Sequence, residues 1–195
     1  FHRQVRRLST RDVRLGVILG ALYGAAQVLQ TVGLQHTDAS ISGFITGTYV
    51  VLTPVFAAVL LRDRISGVAW FAVALATIGL AVLSLRGFAV GIGEAQTLVA
   101  AAIYALHIIA LGRWSTSDTA VGLATVQAGV IATICFVAAL PGGLTLPHST
   151  GQWTSMLYMA LVAGAFALWA QTWAQAHLTA RSEERRVGKE CRSRW

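Results

Sequence analysis

Six long apolar stretches run through the 195-residue sequence and constrain what it can fold into. A helix needs roughly 20 predominantly apolar residues to cross a bilayer. Only 12% of the residues are charged, which argues against a soluble enzyme or a disordered chain. The sequence therefore predicts an all-α integral membrane protein. Its six predicted spans are Leu15–Gln35, Ser40–Leu61, Gly67–Leu85, Glu94–Leu111, Ala120–Leu140 and Trp153–His177.

The arginines between these spans predict the orientation of the chain. The connectors are short, so successive spans are expected to run in opposite directions. Eight arginines lie in residues 1–14, 62–64 and 112–119, whereas Arg86 alone lies in the connectors of the other side. The positive-inside rule then places residues 1–14 in the cytoplasm of a cell membrane, plasma or inner. We interpret these arginines as topogenic and lipid-facing, and no nucleic-acid partner is expected, because neither basic stretch carries a recognition motif.

Glycines and one proline mark the first two spans. Glycines recur at four-residue spacing at Gly16, Gly20 and Gly24, and again at Gly43 and Gly47. This spacing puts them on one helix face, where another helix backbone can approach closely. Packing within the bundle is the first interpretation, and a homodimer is the alternative. Pro54 lacks a backbone donor and predicts a kink or a break in the second span.

Residues 30–39 and 171–180 are similar to each other. They match at Gln30/Gln171, Thr31/Thr172, His36/His177 and Ala39/Ala180. The two copies close the first and the sixth predicted span, so they run in opposite directions. Inverted repeats of this kind mark many secondary transporters.

The segments Gln30–Ser40, Gly43–Gly47 and Val51–Phe56 carry a family pattern, together with Gly93-Glu94, Ala105–Ile108 and Gln171–Gln175. They resemble EamA-type permeases of the drug/metabolite transporter superfamily, and the resemblance covers residues 1–180. It implies ten helices in two inverted five-helix repeats, with both termini cytoplasmic. The six spans would correspond to helices three to eight, so the resemblance implies that the chain is a fragment. Members often carry Gly-Glu after helix four, where this sequence has Arg62-Asp63.

The resemblance also divides the chain. Residues 1–14 would be a cytoplasmic basic connector, residues 15–111 the helices of the first repeat with the start of the second, and residues 120–180 a truncated second repeat. Residues 181–195 supply +3 of the net charge of +7 where the repeat predicts an apolar span like Ser40–Leu61. They resemble a translated sequencing adapter, and a genuine cytoplasmic basic tail is the alternative.

The sequence carries no residue set typical of an enzyme. The acids between residues 15 and 180 are Asp38, Asp63, Glu94 and Asp118, all at span edges or in connectors. No paired carboxylates, nucleophile motif, phosphate-binding loop or metal-ligand spacing is present. We therefore expect no enzymatic activity, no cofactor and no metal site.

Polar and aromatic side chains within the spans are candidate solute ligands, because they are costly in lipid and usually face a cavity or another helix. Gln27 and Gln30 lie one turn apart, and His107 can titrate near neutral pH, which also makes it a candidate for proton coupling. The candidate binding residues are Gln30, Tyr49, Tyr104, His107, Gln127, Gln171 and Trp169. For each of them, helix packing, interhelical hydrogen bonding or an interfacial position is the alternative.

These observations together predict a secondary transporter, a permease that moves a small metabolite or drug-like solute. It would work by alternating access, with inverted repeats rocking around a midplane cavity. Its partners would be the lipid bilayer and the solute. The alternative is a membrane scaffold that does not transport and is built on small-residue helix packing.

Overall fold

The computed structural model describes residues 8–61, 67–84, 91–143 and 146–176. Every regular element in these ranges is helical, which confirms the predicted all-α class. The elements are α1 (Thr10–Gly33), α2 (Ala39–Gly47), α3 (Tyr49–Leu61), α4 (Gly67–Ser84), α5 (Ile92–Trp114), α6 (Ala120–Ala139), a 3-10 turn (Leu140–Gly142), α7 (Thr150–Tyr158), a π-helix (Met159–Phe166) and α8 (residues 167–176).

Five segments of the described chain are long and apolar enough to cross a membrane. They are Thr10–Gly33, Ala39–Leu60, Ile92–Trp114, Ala120–Gly142 and Thr150–Ala176. They coincide with five predicted spans, and α4 occupies the stretch predicted as the third span, over 18 residues. The protein is therefore a multi-pass membrane protein. Residues 1–7, the connector 62–64, Arg86, His177 and the 181–195 tail lie outside the described residues.

Large apolar side chains cover the outer faces of several helices. On α4, Phe71 is 71% exposed, and on the sixth span Met159 is 66% exposed. In water such surfaces would promote aggregation, but in a bilayer they contact lipid tails at no cost. The exposed faces thus fit contact with the lipid bilayer.

Polar caps extend the helices beyond the apolar stretches that predicted them. α1 begins at Thr10 rather than at the predicted Leu15, because Ser9 and Asp12 form a capping box. The backbone N–H of Ser9 donates to Asp12 Oδ2 (3.0 Å), and that of Asp12 donates to Ser9 Oγ (3.2 Å). α7 begins in a similar way, since the Gln152 N–H donates to Ser149 Oγ.

The second span is interrupted at Thr48. α2 ends at Gly47 and α3 begins at Tyr49, and the Thr48 N–H donates to the Ile45 carbonyl (3.0 Å). The Thr48 hydroxyl donates to the same carbonyl (2.6 Å). Pro54 itself lies inside α3, so the break is displaced from the residue that predicted it. A proline ring disturbs the carbonyl four residues before it, which is that of Val50, so Pro54 does not account for the interruption at Thr48.

The described residues divide into two units, and unit one comprises residues up to Ala21 and from Ala110 onward. Its core contains Leu19, Leu111 and Leu123. The first half of α1 lies against α6 at Gly16 and Gly20. A Cβ at Gly16 would lie 2.9 Å from Val126 Cγ1, and one at Gly20 would lie 2.7 Å from Val130 Cβ. The two helices are therefore closer than larger residues would allow.

Unit two comprises Leu22–Ile109. The end of α1 meets the start of α5 backbone to backbone, since a Cβ at Gly93 would lie 2.7 Å from the Gly33 carbonyl oxygen. Beside this contact the Thr37 hydroxyl donates to Glu94 Oε1 (2.6 Å). By contrast, a Cβ at Gly43 or at Gly47 on α2 would meet no atom of the described residues within 4 Å.

Candidate functional site

One face of α1 supplies three polar side chains to unit two. Tyr23, Gln27 and Gln30 follow each other at intervals of four and three residues, and this spacing puts them on one side of a helix. All three are half-buried. Ala26, on the adjoining face, packs with Ala100 and Tyr104 of α5. α1 thus presents a polar stripe beside an apolar contact with α5.

Tyr104 connects this stripe to α5. Its hydroxyl donates to Gln27 Oε1 (2.9 Å) and lies 3.1 Å from Gln30 Oε1. A phenol has a single proton, so the two glutamine oxygens share one donor. Tyr104 is only 7% exposed, so its side chain has little contact with water. These hydrogen bonds take the place of the hydrogen bonds that its hydroxyl would make to water.

Gln30 also reaches α2. Its amide nitrogen donates to Thr46 Oγ1 (2.9 Å), and the Thr46 hydroxyl donates in turn to the carbonyl of Ser42 (2.8 Å). The hydroxyls of Ser42 and Thr97, on α2 and α5, lie 3.5 Å apart and are both buried. Side-chain hydrogen bonds thereby join α1, α2 and α5.

Aromatic rings surround these polar groups. Tyr23 meets Tyr104 edge to face at a centroid distance of 5.0 Å and meets His107 in the same way at 5.3 Å. Tyr49, the first residue of α3, lies 6.4 Å from Tyr104. His107 is fully buried. We refer to these seven residues as the Tyr104 cluster: Tyr23, Gln27, Gln30, Thr46, Tyr49, Tyr104 and His107.

Tyr104 lies near the middle of its helix, whereas Gln30 lies about one turn from the end of α1. At 1.5 Å per residue, Tyr104 is about 18 Å along α5 from Ile92, within a hydrocarbon layer of about 30 Å. Tyr49 adjoins the break in the second span at Thr48. The arrangement can bind a solute through hydrogen bonds and ring contacts.

The structure separates the seven candidate binding residues into two groups. Gln30, Tyr49, Tyr104 and His107 come together in unit two, within the Tyr104 cluster. The other three belong to unit one. There, Gln127 is buried on α6 next to Gly20, and Gln171 is half-buried on α8.

Trp169, the third of these residues, lines an apolar groove in unit one. The groove has a volume of about 460 Å³ and is lined by Ala124, Thr125, Ala128, Ala165, Phe166 and Trp169. The Thr125 hydroxyl donates to the Val121 carbonyl of its own helix, so the groove wall is mainly apolar. Phe166 ends the π-helix, an uncommon element that occurs frequently at functional sites.

Tyr23 and Thr46 of the Tyr104 cluster were not predicted from the sequence, and Gln27 was noted beside Gln30 but was not among the seven candidate binding residues. The spacing from Tyr23 through Gln27 to Gln30 was a usable signal, because it puts the three side chains on one helix face. Thr46 carried no such signal, since a threonine in a membrane helix usually bonds its own backbone, as Thr46 also does.

Comparisons with known proteins agree with this architecture. Residues 1–85 match the EamA-like transporter family. The chain is also 28% identical over 171 residues to a protein of Archaeoglobus fulgidus named as an uncharacterized transporter. The match covers 85% of this chain and 54% of the archaeal protein, so the chain spans about half the length of this curated relative.

Proposed function

Because residues 1–85 carry an EamA-like transporter family domain, we propose that the complete gene product is a secondary transporter for a small metabolite or drug-like solute. The matched family and the named relative are transporters rather than enzymes. Alternating access around a midplane cavity is the proposed mechanism, with a cell membrane, plasma or inner, as the location.

The observation that carries the proposal is the Tyr104 cluster. Polar side chains at membrane depth are expensive and typically serve a substrate path or an ion path. The cluster also adjoins Thr48, the single residue that interrupts the second span. We assign its candidate residues Gln30, Tyr49, Tyr104 and His107 to the solute path. Gln127, Gln171 and Trp169 lie in unit one, and their role in binding stays a prediction.

Uptake by the reconstituted protein tests this assignment. The complete gene product in lipid vesicles should take up at least one solute of a mixed metabolite panel, and Gln30→Leu should reduce that uptake about tenfold, as expected for the loss of one hydrogen bond. Gln35→Leu is the matched control, because Gln35 is exposed near the same end of α1. Unchanged uptake in both Gln30→Leu and His107→Gln would refute the site assignment. An absence of uptake of every panel solute would refute the transport function.

Proton coupling through His107 is the finer part of the proposal. His107 is the member of the Tyr104 cluster whose side chain ordinarily titrates near neutral pH. A pH gradient should then drive uptake by the unaltered protein and should not drive it in His107→Gln. Exchange of labelled for unlabelled solute without a gradient should persist in that variant. Equal responses of the unaltered protein and His107→Gln to the gradient would show that His107 does not couple transport to protons.

A scaffold that associates through small residues is the second candidate function. The observation in its favour is that Gly43 and Gly47 meet no described neighbour within 4 Å. Gly43→Ile should then abolish self-association of the complete protein, measured by energy transfer between labelled copies in vesicles. The same substitution would leave self-association unchanged if these glycines face lipid.

A further inference from the structure

We propose that the Tyr104 cluster selects an uncharged, planar solute that carries a carbonyl or amide group. This inference rests on the proposed transport function and names the chemical class of its substrate. Three properties of the cluster lead to it: the absence of Asp, Glu, Lys and Arg from its helical stretches, an open hydrogen-bond donor on Gln27 and the half-buried ring of Tyr49.

The helical stretches that supply the cluster contain no charged residue type. Residues 22–36, 39–61 and 95–109 include no Asp, Glu, Lys or Arg. Glu94 lies about 15 Å from Tyr104 along α5, and its carboxylate already accepts a hydrogen bond from the Thr37 hydroxyl. While His107 is neutral, a charged solute would give up its water without meeting a counter-charge on these helices. That loss favours an uncharged solute.

The hydrogen bonds within the cluster leave a donor available on Gln27. Both glutamine oxygens are directed at the Tyr104 hydroxyl, and the Gln30 amide donates to Thr46. The Gln27 amide nitrogen makes no hydrogen bond within the described residues. The Gln27 side chain is half-buried, and its amide nitrogen is not among the fully buried atoms that lack a partner. Its two N–H groups can therefore donate to a carbonyl oxygen of the solute.

The rings define the shape of the solute. Tyr23 and Tyr49 are half-buried, and each meets the more deeply buried Tyr104 edge to face. The half-buried Tyr49 ring can in addition pack against a flat apolar group. A planar ring that bears a neutral carbonyl would then use the Tyr49 ring and the Gln27 amide at once.

Three probes of the same size separate this proposal from its alternatives. Benzamide is neutral, benzoate is anionic and benzylamine is cationic at pH 7, and all three carry one benzene ring. Binding of labelled benzamide to the complete protein in vesicles should be saturable and absent from protein-free vesicles. A tenfold excess of benzoate or benzylamine should displace little of it. Gln27→Leu should weaken benzamide binding about tenfold, as expected for the loss of one well-placed hydrogen bond. Gln35→Leu should leave it unchanged.

The outcomes distinguish this inference from the transport function. Preferred binding of benzoate or benzylamine, or unchanged benzamide binding in Gln27→Leu, would overturn the neutral-solute inference. So would the absence of binding by all three probes in a protein that takes up another solute from the metabolite panel. In each of these cases uptake itself would still support a transporter. A protein that binds none of the probes and takes up no panel solute would fail both proposals.

Discussion

Gly20→Ala tests how closely α1 and α6 pack in unit one. The added Cβ would lie 2.7 Å from Val130 Cβ and 3.1 Å from the backbone carbonyl oxygen of Gln127. The first neighbour is the branch point of a stiff side chain and the second is backbone, so neither yields by a rotamer change. The helices must separate, and overpacking of this kind costs about 1–3 kcal/mol.

Gly43→Ala is the matched control for this substitution. Both glycines lie inside α-helices, and alanine is favoured over glycine in a helix by about 1 kcal/mol at either position. A Cβ at Gly43 meets no described atom within 4 Å, so Gly43→Ala should keep the stabilisation that alanine gives a helix relative to glycine. The two variants should therefore differ in the free energy of unfolding by about 1–3 kcal/mol, with Gly20→Ala the less stable.

The assay is equilibrium unfolding of the complete protein by dodecyl sulfate in mixed micelles, followed by the loss of helical circular dichroism. Gly20→Ala should unfold at a lower detergent fraction than Gly43→Ala. If the two variants unfold together, α1 and α6 are not in the close contact described. A Gly20→Ala protein more stable than Gly43→Ala would contradict the packing argument outright.

One further substitution tests the hydrogen bond between α1 and α2, and another tests the cap at the N-terminal end of α1. Thr46→Val removes the acceptor of the Gln30 amide and should lower the unfolding free energy by about 1 kcal/mol. Thr133→Val should have a smaller effect in the same titration, because the Thr133 hydroxyl bonds only its own helix. Ser9→Ala removes the capping box with Asp12 and should lower the free energy of unfolding by about 1 kcal/mol. Hydrogen exchange of the first amides of α1 should accelerate in Ser9→Ala but not in Ser9→Thr, and equal rates would show that the cap does not hold this end.

Most of the helices could be predicted from apolarity alone. Lipid requires a spanning segment to satisfy its own backbone hydrogen bonds, so the length of an apolar stretch nearly defines a helix. The ends were predicted less well, because they depend on single polar residues such as Ser9 and Ser149, which lie outside the apolar pattern. The interruption at Thr48 was not predicted, because it lies farther from Pro54 than the preceding turn that a proline disturbs.

The candidate site was predictable only in part. A polar residue in an apolar span can be recognised from the sequence, and four such residues lie together in the Tyr104 cluster. Their partners depend on which helices are neighbours. The Gln30–Thr46 bond joins positions 16 residues apart, and the Tyr104–Gln27 bond joins positions 77 residues apart. No local pattern predicts pairings over such separations.

The glycines separate what the sequence determined from what the tertiary structure decided. Gly16/Gly20 and Gly43/Gly47 have the same four-residue spacing, and the helical repeat puts each pair on one face. The structure places α6 against the first pair but places no described atom within 4 Å of a Cβ at the second. The sequence by itself therefore determined the class of the protein, its apolar helices and the residue types on each helix face. Only the tertiary structure decided which faces meet, because close packing depends on the neighbouring helix as much as on the residue itself.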